Sequence, residues 1–430
     1  MMKISKSEIQ KVSDEPIGLF YQGIRAAATK EKYTRTLRRI LCDFFEDVLE
    51  GTFEERASQL VHKAKSDPEW ITSLLLTLSK RLKERTDLPR TNDDYLSPNS
   101  FPRFFKPIRK LLDMNDVPVA WKRIYYTFPQ RDNTYSDSRG YTREEIQKML
   151  GFTRGPMDKA LILVAASSGI RGGGFMLYWN DLMPVYKVDD KIVFDITESE
   201  ESRAQIVCAT LTVYRKTQEE YPAFITPEAY NAIMDYRLKW IKEVGKEPLP
   251  TDPLFKEAGP FATMLKVDAV KRRITRVAEN AGIRKPLVKG KRKHEVPIMN
   301  GFRRFFNKIN KETISKDSPL AALIKKEYMM DHVGLVKLDR NYFKAHISEL
   351  VEEYLNAVPS LTISDEEREK ALNKKLRIEN KDLYQKNVRI AELEKNQEMM
   401  TRWMMRFKEI HPEMFTEEVF VGGVKTQQRS

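Results

Sequence analysis

The chain has 430 residues, 41% of them hydrophobic, with 75 lysines and arginines against 62 aspartates and glutamates, a formal charge of +13. That length exceeds one ordinary compact core, and the charge points to a polyanionic partner, nucleic acid before an anionic membrane surface, with a merely soluble basic protein as the bland alternative. Two cysteines, Cys42 and Cys208, exclude a disulfide scaffold and a cysteine-rich zinc site and suit a reducing cytosol, while the opening MMKISKSEIQ lacks a secretory apolar run and the most apolar stretch, Ala160 to Ile170, is too short to span a bilayer.

In chain order, the first third reads as helical. From Thr29, the residues Tyr33, Leu37, Ile40, Leu41, Phe44, Phe45 and Val48 recur at three- and four-residue spacing and make one apolar stripe. Lys30, Lys32, Arg35, Arg38 and Arg39 fall on the other faces, either as solvated charge or as a surface that tracks phosphates. Further helices are predicted around Trp70 to Leu82 and from Phe104 to Met114, after Pro102. The polar run Gln130 to Gly140 reads as a connector. Thr142-Arg143-Glu144-Glu145 has the form of a capping box that opens a helix. An apolar helix over Leu161 to Ala166 ends at Ser167-Ser168-Gly169.

The period then changes. Lys191 to Ile196, Gln205 to Tyr214 and Pro222 to Ile225 read as three short strands of a meander. Helical patterns resume at Pro227 and run to about Leu355. In the tail, Leu376, Leu383 and Ile390 recur every seven residues, each preceded three positions earlier by Asn373, Asn380 or Asn387. That is the form of a coiled-coil seam with inner asparagines; a solvated single helix is the other reading. The last residues, GGVKTQQRS, are expected to be disordered.

Phosphodiester cleavage without a metal needs a nucleophile, cations fixed on the non-bridging oxygens, an acid for the departing 5′ oxygen and a way to manage the nucleophile's proton. Arginine is the best clamp, because its planar fork bonds two oxygens at once and keeps its charge. Arg171, between an apolar helix and Phe175-Met176-Leu177-Tyr178-Trp179, is expected to lie between buried elements and so to need an anionic partner. Arg303 stands amid aromatic residues in Asn300-Gly301-Phe302-Arg303-Arg304-Phe305-Phe306, and composition alone does not choose between it and Arg304. No ligand cluster for a metal is seen, and no cofactor is called for.

Ser168-Gly169-Ile170-Arg171, followed by Leu177-Tyr178-Trp179-Asn180-Asp181, resembles the first arginine box of the tyrosine recombinase (phage integrase) family. The family's ordered set is matched in turn. Lys216, in Tyr214-Arg215-Lys216-Thr217 ahead of Phe224-Ile225-Thr226-Pro227, stands at the hairpin lysine. Asn300-Gly301-Phe302-Arg303 stands at His-x-x-Arg, which makes Arg303 rather than Arg304 the second clamp. Met330-Asp331-His332 resembles the Leu-Gly-His box, and Tyr342, in Asn341-Tyr342-Phe343-Lys344, stands at the nucleophile. Tyr33 to Phe45 resembles the opening helix of the family's core-binding domain, and Trp121-Lys122-Arg123-Ile124 through Thr142-Arg143-Glu144-Glu145-Ile146 resembles integrases of archaeal viruses and plasmids. The resemblance spans about residues 20 to 362; five boxes in order make it far more specific than any one.

Two positions depart from the pattern. Asn300 replaces the first histidine; it can donate a hydrogen bond but cannot take up a proton near neutral pH, so the tyrosine's proton must go to His332 or solvent. Gly174 replaces the acidic residue often found three positions after the first arginine, so the support that orients Arg171 must come from elsewhere. Tyr328 and Tyr354 are competing tyrosines that read as helix-packing residues; His294 reads as part of a basic loop, and His346 and His411 as surface residues.

The resemblance implies a mainly α protein with a small antiparallel sheet (α+β). A helical core-binding domain over residues 1–130 and a linker over 131–140 are followed by a catalytic domain over 141–362 and a helical, coiled-coil-like tail over 363–430. It implies a site-specific recombinase of a mobile element that cuts and rejoins double-stranded DNA through a 3′-phosphotyrosyl link, self-associating as a tetramer on two DNA sites, in the cytoplasm at the nucleoid and with no membrane partner. Arg171 and Arg303 would bind the phosphate oxygens, Lys216 would protonate the departing 5′ oxygen and His332 would add a hydrogen bond. A type IB topoisomerase uses much the same residues, and Asn300 also allows a DNA-binding protein that has lost catalysis.

Overall fold

The computed structural model describes residues 15–132, 138–189, 191–288, 293–315, 318–331 and 346–411. The chain divides into two compact units, Met1–Asp137 with Pro286–His294, and Ser138–Lys285 with Glu295–Ser430.

The first unit is helical: α1 (Pro16–Gln22), α2 (Ala27–Arg38), α3 (Phe53–Ser66), α4 (Pro68–Glu84), α5 (Pro102–Met114) and α6 (Trp121–Tyr125). The expected stripe from Thr29 to Val48 is not one α-helix. At Arg39–Phe44 the chain widens into a π-helical turn, with the Phe45 amide bonded back to the Ile40 carbonyl. The wider turn shifts the phase of the residues after it, so Leu37, Ile40, Leu41 and Phe45 are buried while Val48 turns out to solvent. Helix α3, which apolar spacing alone does not announce, hides its buried face in small residues, Ala57 and Ala64 beside Leu60 and Val61. Its signature is the capping box of Thr52 and Glu55, each satisfying the other's backbone amide.

The second unit is built around α8 (Pro156–Ser168), which follows α7 (Arg143–Leu150). Residues Ala160 to Ser168 of α8 are buried without interruption, so this helix is the centre of the core and not an amphipathic surface helix. The capping box at the start of α7 is present: the Thr142 hydroxyl accepts from the Glu145 amide at 3.2 Å and the Glu145 carboxylate accepts from the Thr142 amide at 2.9 Å. Arg139, within the expected connector, is held by Glu145 at 2.7 Å and Glu295 at 2.6 Å; residues 133–137 of that connector lie outside the described residues.

The sheet has four antiparallel strands, β1 (Leu182–Val188), β2 (Lys191–Val193), β3 (Gln205–Val213) and β4 (Tyr221–Ile225), in the order β2-β1-β3-β4. The expected meander of three strands therefore lacked one. Pro184 inside Leu182–Val188 argues against a central strand. It is accommodated because β2 pairs β1 only at Tyr186, Lys187 and Val188, so at Pro184 only β3 lies alongside. The helices α9 (Pro227–Val244), α10 (Val267–Asn280), α11 (Ile298–Glu312), α12 (Pro319–Met329), α13 (Ile347–Leu355) and α14 (Val358–Leu361) complete the unit, which is mainly α with a small antiparallel sheet, as expected.

Among the described residues the tail is one helix, α15 (Asp365–Ile410); residues 412–430, with the GGVKTQQRS expected to be disordered, lie outside the described residues. Its base is gripped from two sides: Arg143 donates to the Ile363 carbonyl and to Asp365, both at 2.7 Å, and the Glu228 carboxylate accepts from the amides of Ile363 and Ser364. Beyond that joint Leu376, Leu383 and Ile390 are all more than half exposed. No helix among the described residues is long and apolar enough to cross a membrane.

Candidate active site

Arg171 follows α8 because the helix is stopped by Gly169. Gly169 takes a left-handed φ of +59°, and a Cβ there would stand 2.7 Å from the Phe306 ring. Both facts call for glycine: the backbone needs the conformation, and α11 packs too close for a side chain. The chain then passes through Ile170, which is buried, to Arg171, whose side chain is 45% exposed. The elements on either side, α8 with Ile170 and then Phe175 and Leu177, are buried as expected, but the Arg171 side chain between them is not. The three glycines after it form a short 3-10 turn that leaves the guanidinium at the surface.

Arg303 reaches the same place from α11. The first turn of that helix is pressed onto Tyr141, whose ring is 4.5 Å from that of Phe302. Gly301 permits the approach, since a Cβ there would lie 2.6 Å from both Tyr141 and Val296. Arg303 is half-buried and Arg304 exposed, which separates the two arginines that composition left open. Arg303 donates to the Gly169 carbonyl at 2.9 Å and to the Met330 carbonyl. One bond ties it to the turn that bears Arg171, the other to the end of α12. Asn300, one turn earlier, is exposed on the same helix.

Asp331, next to the Met330 that Arg303 bonds, holds Arg171. Its carboxylate accepts from Arg171 at 2.8 Å and its carbonyl from the same guanidinium at 3.3 Å. The Asp331 side chain is 11% exposed, so the ion pair is made from the buried side of Arg171. Burial first, and the Arg171 charge second, lower the pKa of Arg303 from its ordinary value; the Tyr221 hydroxyl and Asp331 act in the opposite direction. Arginine stays charged under any such shift. The direction reports first that this guanidinium is half withdrawn from water, and second that the Arg171 charge is close to it.

The hairpin between β3 and β4 is docked on this arginine turn. The Tyr214 hydroxyl would stand 3.0 Å from a Cβ at Gly173, so the glycine makes the seat for that ring. Arg215 pairs with the buried Asp181 carboxylate and donates to the Asn180 carbonyl. The Lys216 amide donates to Glu220 at 2.6 Å, and Lys216 itself is exposed. Tyr214 and Lys216 both have positive φ, +56° and +63°, an unusual pair for residues with side chains and one that the surrounding contacts must hold. Tyr221, at the start of β4, is buried, and its hydroxyl lies near enough to Arg303 to favour that charge.

Arg171, Arg303 and Asp331 thus stand together, with the base of the Lys216 hairpin against them, while the side chains of Asn300 and Lys216 are exposed. His332 and Tyr342 lie outside the described residues. Of the competing tyrosines, Tyr354 is fully buried, its hydroxyl donates to the Ser167 carbonyl at 2.8 Å, and burial pushes its pKa far up. It is a core residue. Tyr328 is partly buried against the same core. Sequence reasoning did not single out Asp331, Tyr214 or Tyr221 for a role; an aspartate standing where the resemblance has glycine was the available signal for the first.

No family model matches the chain, and no curated protein matches it. Solved structures similar to it include a XerA recombinase, 15% identical with a TM-score of 0.30 over 75% of this chain and 97% of that one. A XerH site-specific recombinase bound to difH substrate before cleavage is 13% identical, with a TM-score of 0.39 over 80% of this chain and 96% of that one. A lambda integrase dimer bound to a core site is 13% identical, with a TM-score of 0.34 over 80% of this chain and 93% of that one. At these identities and TM-scores the likeness decides neither the reaction nor the ligand.

Proposed function

We propose that the chain is a site-specific DNA recombinase, an integrase that cuts and rejoins duplex DNA through a covalent link to Tyr342. The observation that carries the reading is the meeting of Arg171 and Arg303, from distant segments, at the end of α12, where Arg171 is held by Asp331 and Arg303 by the Met330 carbonyl, just before His332. Two fixed guanidiniums with one carboxylate suit a phosphodiester, whose two non-bridging oxygens share one negative charge.

In this reading the Tyr342 oxygen attacks phosphorus and forms the tyrosyl-phosphate bond, while the bond to the 5′ oxygen breaks. Lys216 gives that oxygen its proton, and the phenol proton leaves to His332 or to solvent, because Asn300 cannot hold it. Attack by a 5′ hydroxyl reverses the step, so bond energy is retained and no nucleotide is consumed. Pairing of two sites by a tetramer, an origin in an archaeal virus or plasmid, and action in the cytoplasm at the nucleoid belong to the same proposal and rest on the resemblance in the sequence. Double-stranded DNA is the partner, and the formal charge of +13 supplies its electrostatic attraction.

The test is a nicked duplex that traps the covalent intermediate. The wild-type chain is expected to give a protein–DNA adduct whose peptide maps to Tyr342. A chain that binds DNA but never forms the adduct would be a binding protein instead, and relaxation of supercoils without pairing of two sites would mark a topoisomerase.

A further inference from the structure

The turn that carries Arg171 contains no acidic residue of its own, since Gly172, Gly173 and Gly174 follow it. A guanidinium on a glycine-rich turn at the surface has many rotamers to explore, and a clamp works only when its orientation is set in advance. Among the contacts of Arg171, the carboxylate and the carbonyl of Asp331 form a two-point grip. Asp331 comes from the end of α12, far away in sequence, and holds a left-handed φ of +50° to make it. A non-glycine residue in that conformation costs about 1 kcal/mol or more and persists where its surroundings over-determine it.

The burial of the pair separates two possible roles. If the carboxylate sat on the open side of Arg171 it would occupy the place of an incoming anion. Instead the aspartate side chain is 11% exposed and the arginine side chain 45% exposed. The carboxylate lies beneath, and the remainder of the five-donor guanidinium fork is left toward solvent.

We propose that Asp331 is the positioning residue of Arg171, a carboxylate supplied from the end of α12 that sets the guanidinium's orientation toward the scissile phosphate. Asp331 itself touches no reacting atom. The inference rests on the reading of the site as a DNA-cleaving centre and adds to it how the first arginine is held. It also implies that the segment leading into His332 and the Arg171 turn are tied to one another before DNA arrives.

The test compares single-turnover cleavage of the nicked duplex by the wild type, Asp331→Asn and Asp331→Gly, alone and in an Arg171→Ala background. Asparagine and glycine both tolerate positive φ, so neither variant is expected to misfold. Asp331→Gly is expected to lower the cleavage rate by about ten- to hundredfold, the usual effect of deleting an orienting partner, with duplex affinity changed by less than about twofold. Asp331→Asn, which keeps an acceptor but not the charge, is expected to fall in between. In the Arg171→Ala background either change should slow the reaction far less than it slows the wild type, because the hydrogen bonds of the carboxylate and carbonyl that orient a clamp go to that arginine. A general structural defect would instead add its loss in both backgrounds. Wild-type or faster cleavage by Asp331→Gly, or a full additional loss on top of Arg171→Ala, overturns the inference alone. Absence of an adduct from the wild-type chain overturns the reading of the site and this inference with it.

Discussion

The arginine site and the tail helix are made by opposite means. Arg171 and Arg303 meet because α11 packs so closely on the end of α8 that Gly169 has no room for a side chain against Phe306, and on Tyr141 and Val296 that Gly301 has none either. Each donor is then fixed by a carbonyl or carboxylate from another segment. Helix α15 needs none of this. Once clear of its joint with Arg143 and Glu228 it leaves Leu376, Leu383, Ile390, Trp403 and Met404 to solvent. Precise placement of charge is thus a product of long-range packing, whereas a helix on its own can offer a surface but cannot fix a geometry.

The largest effect that would sharpen this contrast is expected at the nucleophile. Tyr342→Phe should keep duplex affinity and lose the covalent adduct entirely, as read on denaturing gels with a nicked substrate; an adduct mapped to Tyr328 would break the assignment. Lys216→Ala comes next. An acid for the 5′ oxygen is expected to contribute about a hundred- to ten-thousandfold. A substrate with sulfur in place of that bridging oxygen should restore the Lys216→Ala rate, because a thiolate departs without a proton. The same substrate should not restore Arg171→Ala.

The two neighbouring arginines of α11 test the role of burial itself. Arg303→Ala is expected to cost about a hundredfold or more in cleavage, as for the loss of a preorganised donor. Arg304→Ala, on the exposed face, should change cleavage little and shift only the salt dependence of binding. Equal losses at the two positions would mean that packing does not select between them. Gly169→Ala probes the same packing through stability. With a φ of +59° and Phe306 at 2.7 Å from the added methyl, it is expected to lower the unfolding free energy by about 1–3 kcal/mol, measured by denaturant titration. The smallest effect on cleavage belongs to the tail. Deleting residues 372–430, which spares the joint at Asp365, should leave single-site cleavage within about twofold and abolish any self-association made through the seam. Unchanged assembly on DNA would show that α15 is a solvated helix.

Much of the local structure was legible in the sequence because local chemistry decides it. The capping box at Thr142 and Glu145, the stop at Gly169, the helix opened by Thr226-Pro227 and the strands Gln205–Val213 and Tyr221–Ile225 all follow from caps, turns and alternation. Where the expectation failed, a non-local term won. β1 was missed because Pro184 is tolerated only where β2 has ended, and the stripe through Val48 was broken by a π turn that no spacing rule reveals.

By itself the sequence determined the mainly helical class and the basic charge, and the resemblance named Arg171, Lys216 and Arg303 as candidates for the proposed cleavage. Only the tertiary structure decided that Arg171 is an exposed side chain, that Arg303 and not Arg304 turns inward, and that the carboxylate missing after Arg171 is provided by Asp331. The physical reason is that a side chain's type is written at its own position, whereas its partner depends on which distant backbone packing brings within about 3 Å.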